Sequence, residues 1–330
     1  MNAIRASFRM AIFPVVLALS MPVAALAQGW TPQRNVELIV PAAAGGSLDF
    51  TGRTVHRLWE ELKLVPVSGT VANRAGGGHA VAYAFLNQRP GDPHFLSITS
   101  STILTSHING RLALTYTDFT TLAVLLVEHI AFAVRTDSPI ASGKDLIETL
   151  RKNPGALSVA LSSAAGGTHH IAIGLPLQSA GVDVSRIKLV SFNSTGEAVT
   201  AVLGGHVDLV VGGTVQVGAQ TEAGKLRGLS TTSPRRMSGV YASIPTWPEL
   251  GYKGVFENWR GVIGTRGITP EQTAYWEGVL RRVVQSEEFK KDAEKNQWDS
   301  SFKGSAEMRK FLEAQYGELK GVMSFLGLAK

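Results

Sequence analysis

Residues 36–49 read VELIVPAAAGGSLD, and this stretch decides the fold class. Residues 36–40 are a short apolar run rich in branched side chains, the pattern of a buried strand, and Pro41 ends it. Ala42-Ala43-Ala44-Gly45-Gly46-Ser47 follows as a small-residue turn. Beyond the turn Val55, Leu58, Trp59 and Leu62 recur at i, i+3, i+4 and i+7, one apolar face of a helix. Asp49 lies in the first turn, where the helix dipole favours a negative charge. The unit is strand, glycine turn, helix.

Working outward, the same unit recurs three times. Residues 70–72 lead into Asn73-Arg74-Ala75-Gly76-Gly77-Gly78 and an alanine-rich helical stretch. Residues 157–161 lead into Ser162-Ser163-Ala164-Ala165-Gly166-Gly167-Thr168 and a helix that Pro176 is expected to shorten or kink. Residues 189–192 lead through Asn193-Ser194-Thr195-Gly196 into a helix over 197–203, and Ser194 with Glu197 matches the S-x-x-E capping box. Thr269-Pro270-Glu271-Gln272 reads as N-cap, first-turn proline and N3 glutamine of a helix reaching Gln285, and residues 305–325 form another amphipathic helix. Strands alternating with helices predict an α/β protein with parallel sheets and a ligand outside the carboxyl ends of the strands.

Length and composition agree. The 330 residues suggest about two domains, and 44% apolar with 18% charged residues describes a globular chain. Turns near residues 135–139 and 245–254 place one βα lobe, residues 135–254, inside another made of 28–134 and 255–330. The net charge is +6, of which Arg5 and Arg9 supply two. No run of five Lys or Arg occurs, so the continuous basic stripe that duplex phosphates require is missing and nucleic acid is not an expected partner. The absence of cysteine removes thiol nucleophiles, disulfides, thiolate zinc sites and an amino-terminal lipid anchor. Residues 1–27 read as a cleavable signal peptide: Arg5 and Arg9, an apolar stretch over 11–19 (AIFPVVLAL), and Ala25-Leu26-Ala27 as the small-x-small site, with cleavage after Ala27. Pro14, Ser20 and Pro22 interrupt a segment too short to span a bilayer, which makes this an exported rather than an anchored chain.

Each glycine turn is a potential anion seat, because the first N–H groups of a helix lack internal partners and glycine lets a ligand approach the backbone. No turn matches GxxxxGK[ST], and residues 76–81 fail G-x-G-x-x-G at the third glycine, so a carboxylate suits these turns better than a phosphate. Neither G-x-S-x-G nor H-E-x-x-H occurs, which removes the serine hydrolase and zincin templates. Neighbouring His169 and His170 point about 100° apart on a helix, with no Asp or Glu within six residues, so no metal site is expected there. One imidazole is expected to donate to a ligand or loop carbonyl at the helix start, and the other to be solvated. Asp208, closing Gly204-Gly205-His206-Val207-Asp208, either caps a backbone turn or holds a ligand hydroxyl or amine.

Taken together, these residues resemble the periplasmic substrate-binding proteins of tripartite tricarboxylate transporters, the TctC or Bug receptors. Val40-Pro41 through Gly45-Gly46-Ser47-Leu48-Asp49 is similar to V-P-x-x-x-G-G-x-x-D, Asn73-Arg74-Ala75-Gly76 to N-R-x-G, and residues 166–170 to G-S-T-P-H. Leu203-Gly204-Gly205-His206-Val207-Asp208 resembles L-G-G-x-V-D. Gly224-Lys225-Leu226-Arg227 with Thr232-Ser233 and Arg236 resembles G-K-L-R and T-S-x-x-R, and Pro245-Thr246, Glu249 and Gly251-Tyr252 resemble P-T-x-x-E-x-G-Y. The order and spacing of these motifs cover nearly the whole chain after residue 27.

The resemblance implies a two-lobed, type II Venus-flytrap binding protein of the periplasm that closes on a small organic mono- or dicarboxylate and hands it to a membrane permease, without catalysis or cofactor. It places Gly45, Gly46 and Ser47 opposite Gly167, Thr168 and His170, and adds the loop Thr99-Ser100-Ser101. With the turn residues Ala44, Asp49, Asn73, Ala165, Asn193 and Asp208, these make up the candidate ligand-binding set. Ala42 stands where many members have an aromatic, Ser47 where they have a third glycine, His169 where they have proline, and Phe192-Asn193-Ser194-Thr195 where they have Tyr-Lys-Gly-Gly. The smaller mouth residues and the lost lysine imply a roomier seat suited to an aromatic or bulkier acid rather than a citrate-like one. Two alternatives are a co-receptor that docks on a membrane sensor kinase and an α/β enzyme acting on a carboxylic acid.

Overall fold

The computed structural model describes residues 29–163 and 166–330. The expected signal peptide and the candidate Ala165 lie outside the described residues. From its start the chain forms β1 (Val36–Val40), α1 (Ser47–Glu61), β2 (Gly69–Asn73), α2 (Ala80–Asn87), β3 (Phe95–Ser100), α3 (Thr102–Ile108) and β4 (Thr120–Glu128). It continues through β5 (Ile130–Arg135), α4 (Gly143–Lys152), β6 (Ser158–Leu161), α5 (Thr168–Ser179), β7 (Lys188–Ser191), α6 (Thr195–Leu203), β8 (Leu209–Gly213), α7 (Thr214–Glu222) and β9 (Leu226–Thr231). It closes with β10 (Asn258–Gly264), α8 (Pro270–Gln285), α9 (Glu287–Asn296), β11 (Asp299–Gly304) and α10 (Ser305–Phe325).

These strands form two sheets, one ordered β11-β4-β10-β3-β1-β2 and the other β7-β6-β8-β5-β9. The expected parallel sheets are mixed. β1 runs parallel to β2 and β3, and β6 to β7 and β8, as the recurring βα units require. β10 is antiparallel to β3 and β4, β11 to β4, and β5 to β8 and β9. Strand direction in these carriers of the crossover is set by where the chain enters each sheet, which an apolar run does not encode.

The chain passes from the first sheet to the second at His129, between β4 and β5, and returns over residues 232–257. The expected boundary at 134/135 therefore falls at the far end of β5 instead of before it. Residues 120–135 are almost continuously apolar, so the turn after Arg135 is the first visible punctuation, yet Ile130–Val134 pairs with β8.

Local packing follows the periodicity. α1 buries Val55, Leu58 and Trp59, and the Trp59 ring lies 6.0 Å from Trp276 of α8, centroid to centroid. Burying each such side chain contributes about 1.5–3 kcal/mol. The capping box of α8 is complete: Thr269 Oγ1 accepts from Gln272 N at 3.2 Å and Gln272 Oε1 from Thr269 N at 2.8 Å. At α6 it is half formed, since Ser194 Oγ accepts from Glu197 N, whereas the Glu197 carboxylate takes Asn193 N one residue further out. α5 runs through Pro176 to Ser179. α10 packs on β4 and α3, and its end reaches the other sheet, where Gln178 Nε2 of α5 donates to the Phe325 carbonyl at 3.0 Å. No helix among the described residues is long and apolar enough to cross a membrane.

Candidate functional site

The glycine turn before α1 is built from its own acid. Gly45 has φ +78°, a conformation glycine adopts without a steric cost, and its N–H donates to Asp49 Oδ2 at 2.9 Å. The same oxygen accepts from Arg53 Nε at 2.9 Å, and Asp49 Oδ1 accepts from Asn73 Nδ2 at 2.9 Å. Asn73 Nδ2 also donates to the Ala42 carbonyl, so one carboxylate ties the β1 turn to the β2 turn. Burial would raise the Asp49 pKa. The hydrogen bonds from Arg53, Gly45 and Asn73 outweigh it and hold the carboxyl below its ordinary 3.8.

At the carboxyl ends of β1, β3 and β6 a cavity of about 40 Å³ lies between the two sheets. Gly46 and Ser47 enter it from the start of α1, Ser100 and Thr102 from the β3–α3 turn, Thr168 and His169 from the start of α5, and Asn193, Ser194 and Thr195 from the start of α6. The N-termini of α1, α5 and α6, from both sheets, thus converge on one place, and each carries partial positive charge and unpaired N–H groups. Hydroxyls link the wall: Thr195 Oγ1 donates to Ser162 Oγ at 3.0 Å, and Ser162 Oγ meets His169 Nε2 at 3.0 Å. Asn193, His79, Thr102 and Ser162 also line an outer chamber of about 220 Å³ that contains Arg111.

The remaining wall is Ala42, Leu48, His79, Ser163, Asn258 and Arg260. Arg260, 3% exposed, donates through Nη2 to Glu128, which is 0% exposed. Desolvation lowers the Arg260 pKa, and the attraction of Glu128 opposes that shift. Burial, followed by the Arg260 charge, pushes His79 and His169 down to about 3 each, so both are neutral at neutral pH. Three consecutive glycines at positive φ, Gly76 to Gly78, and His79 itself at φ +77° carry the His79 ring to the wall. Among the described residues no group of three or more His, Asp and Glu is placed to hold a metal ion.

The lobes touch across the cavity. Ser47 Oγ donates to Gln216 Oε1 at 2.9 Å, and Gln216 Nε2 to the Gly45 carbonyl at 3.3 Å. A Cβ on Gly46 would meet Ser194 Cβ at 3.0 Å, and one on Gly213 would overlap Ser47 Oγ and Glu128 Oε1.

Of the residues singled out from the sequence, Gly46, Ser47, Ser100, Thr168 and Asn193 line the cavity. Gly167 is the N-cap of α5, and Ala44 and Gly45 form the exposed outside of the first turn. Thr99 Oγ1 bonds Tyr83 OH at 2.9 Å, and Ser101 Oγ bonds Asn258 at 3.2 Å, so both sit behind the wall. Asp49 and Asn73 brace turns. His170 does not line the cavity: its Nδ1 accepts from Gly166 N at 2.9 Å, closing the turn, and His169 is the imidazole that faces inward. Asp208 is exposed and accepts from Ser158 N and Oγ, joining the starts of β6 and β8 away from the cavity. His79, Asn258 and Arg260 were not singled out. The available signal was a lone arginine in the otherwise uncharged strand NWRGVIG and a lone glutamate in LLVEHIAF.

Comparison with known proteins bears on this geometry. Residues 63–328 match the family described as tripartite tricarboxylate transporter family receptor. A Cupriavidus necator protein, the UPF0065 protein in the gbd 5' region, is 26% identical over 315 residues, covering 94% of this chain and 93% of its own. The structure of an R. palustris protein with adipate superposes with a TM-score of 0.83 at 23% identity, covering 90% of this chain and 99% of that one. MatC from Rhodopseudomonas palustris with bound malate gives 0.77 at 20% identity, covering 88% and 99%. These likenesses establish the two-lobed binding-protein fold.

Proposed function

The chain belongs to the tripartite tricarboxylate transporter receptor family, and from that premise we propose that it is a periplasmic solute receptor that captures a small organic carboxylate between its lobes and delivers it to a tripartite tricarboxylate-type permease. In this reading the sheet of β5–β9 with its helices is the inner lobe, the remainder is the outer lobe, and the signal peptide is removed after Ala27. The protein performs no chemistry on its ligand.

The observation that carries the reading is the convergence of the α1, α5 and α6 N-termini, from both lobes, on one cleft lined mostly by polar residues. A sheltered helix terminus gives a carboxylate up to about 2 kcal/mol, so three supply about 6 at most. A micromolar complex requires about 8.2 kcal/mol. Charge-assisted hydrogen bonds from the Thr168 hydroxyl and the Asn193 amide, both on the cavity wall, strengthened where closure excludes water, supply the difference. The relatives solved with adipate and malate support an acid as the cargo class. Arg260 and His79 on the wall and the small inner volume favour a slimmer acid than the aromatic or bulkier one expected from the sequence.

A thermal-shift panel of organic acids, sugars and amines tests the proposal. One or more acids should stabilise the protein, by about 2.7 kcal/mol at a hundredfold excess over Kd. Stabilisation by sugars or amines with none by acids would refute it.

A further inference from the structure

Resting on the reading of the cavity as a carboxylate site, we infer that its inner wall selects acids carrying one carboxylate and a neutral hydrogen-bond acceptor at the other end, such as an amide, keto or hydroxyl oxygen, over dicarboxylates. Arg260 lines the cavity, is 3% exposed, and its Nε–H has no hydrogen-bond partner among the described residues. Among the described residues its Nη1 makes only long contacts, 3.4 Å each, to the carbonyls of Asn258 and Trp259, while Nη2 is taken by Glu128. Buried donors are almost always satisfied in folded proteins, so a guanidinium left with free N–H groups at a cavity wall points to an acceptor on the bound molecule. His79 Nδ1, equally enclosed and unpartnered among the described residues, adds a second polar contact on the same wall.

The charge of that acceptor is set by Glu128. It stands opposite Asn258 in the β4–β10 ladder, is fully buried, and cancels the Arg260 charge. His79 and His169 contribute no charge at neutral pH. Arg260 is the one ionised side chain of the wall among the described residues, Glu128 behind it balances its charge, and Arg111 belongs to the outer chamber, so the positive character left at the inner wall is that of the converging helix termini, which one carboxylate uses. A second carboxylate at Arg260 would lie beside the buried Glu128 carboxylate with no counter-charge of its own, whereas a neutral oxygen takes the same N–H groups without that repulsion. Glu128 Oε1 also has no partner among the described residues, but Glu128 is not part of the cavity wall, so a ligand ammonium would meet Arg260 before it.

Calorimetric titration with diacids and their own monoamides decides the matter: succinate against succinamate, glutarate against glutaramate, adipate against adipamate. The wild-type protein should bind the best monoamide at least about tenfold more tightly than its diacid. Glu128→Gln, which keeps an acceptor for Arg260 and removes the charge, should shift the preference about tenfold toward the diacid. Tighter binding of the diacids by the wild type overturns the inference and leaves the receptor reading standing, and this arm does not depend on the variant folding. An unchanged ranking in a folded Glu128→Gln protein overturns the assignment to the Arg260–Glu128 pair. Failure of every acid in both series overturns the receptor reading itself.

Discussion

Asp49 shows how one side chain can be indispensable to a site it does not line. Its carboxylate holds the Gly45 N–H, the Asn73 amide and Arg53 together. Asp49→Ala leaves those donors without their acceptor and should cost about 1–3 kcal/mol, read by urea denaturation, with weaker ligand binding because the turn before Ser47 loosens. Because the folded-state pKa lies below 3.8, the stabilisation is complete above that value and is lost as pH falls through the lower folded-state pKa. Asp49→Asn should therefore flatten the acid limb of the stability curve. His169 works over a different window. Its folded pKa of about 3 against 6.5 means that the unfolded chain takes up the proton first, so stability is full above about 6.5 and declines as pH drops toward 3. Denaturation at pH 7 and 5 should show this decline, and His169→Gln should reduce it. At this scale the sequence was least transparent. Asp49 was visible as a first-turn acid, but which of two adjacent histidines faces inward depends on the rotation of α5. Arg260 was marked only by being the lone charge in an otherwise uncharged strand, and its partner Glu128 lies 132 residues away in sequence.

At the scale of elements, the strand, glycine turn and helix units were legible because periods of 2 and 3.6 and the position of glycine are written locally. Strand direction and the crossover at His129 were not, since both depend on which partner a strand finds. The α8 capping box was readable to the residue. Thr269→Ala should lower stability by about 1 kcal/mol without changing ligand affinity, which thermal melts with and without ligand will separate. Gly46 is the opposite case. Its φ of −85° accommodates any residue, but a branched side chain would press on Ser194 across the cleft. Gly46→Val should abolish binding while leaving the ligand-free melting temperature within a few degrees.

For the whole molecule, function rests on two sheets meeting across small residues. The Ser47–Gln216 and Gln216–Gly45 hydrogen bonds join the lobes only when they are together, and Gly213 permits the approach of Ser47 and Glu128. Gly213, at φ −61° and ψ 144°, can become alanine without backbone strain, so Gly213→Ala isolates the effect of that contact. Small-angle scattering should find this variant more open than the wild type, with affinity reduced roughly tenfold by the smaller population of the closed form. The most direct test of the account is a crystal structure with the acid that gives the largest thermal shift. The account predicts its carboxylate within hydrogen-bonding distance of the α1, α5 and α6 N-termini, among Ser47, Thr168 and Thr195. An acid bound outside that cavity, or turned so that its carboxylate faces away from all three helix starts, would contradict it.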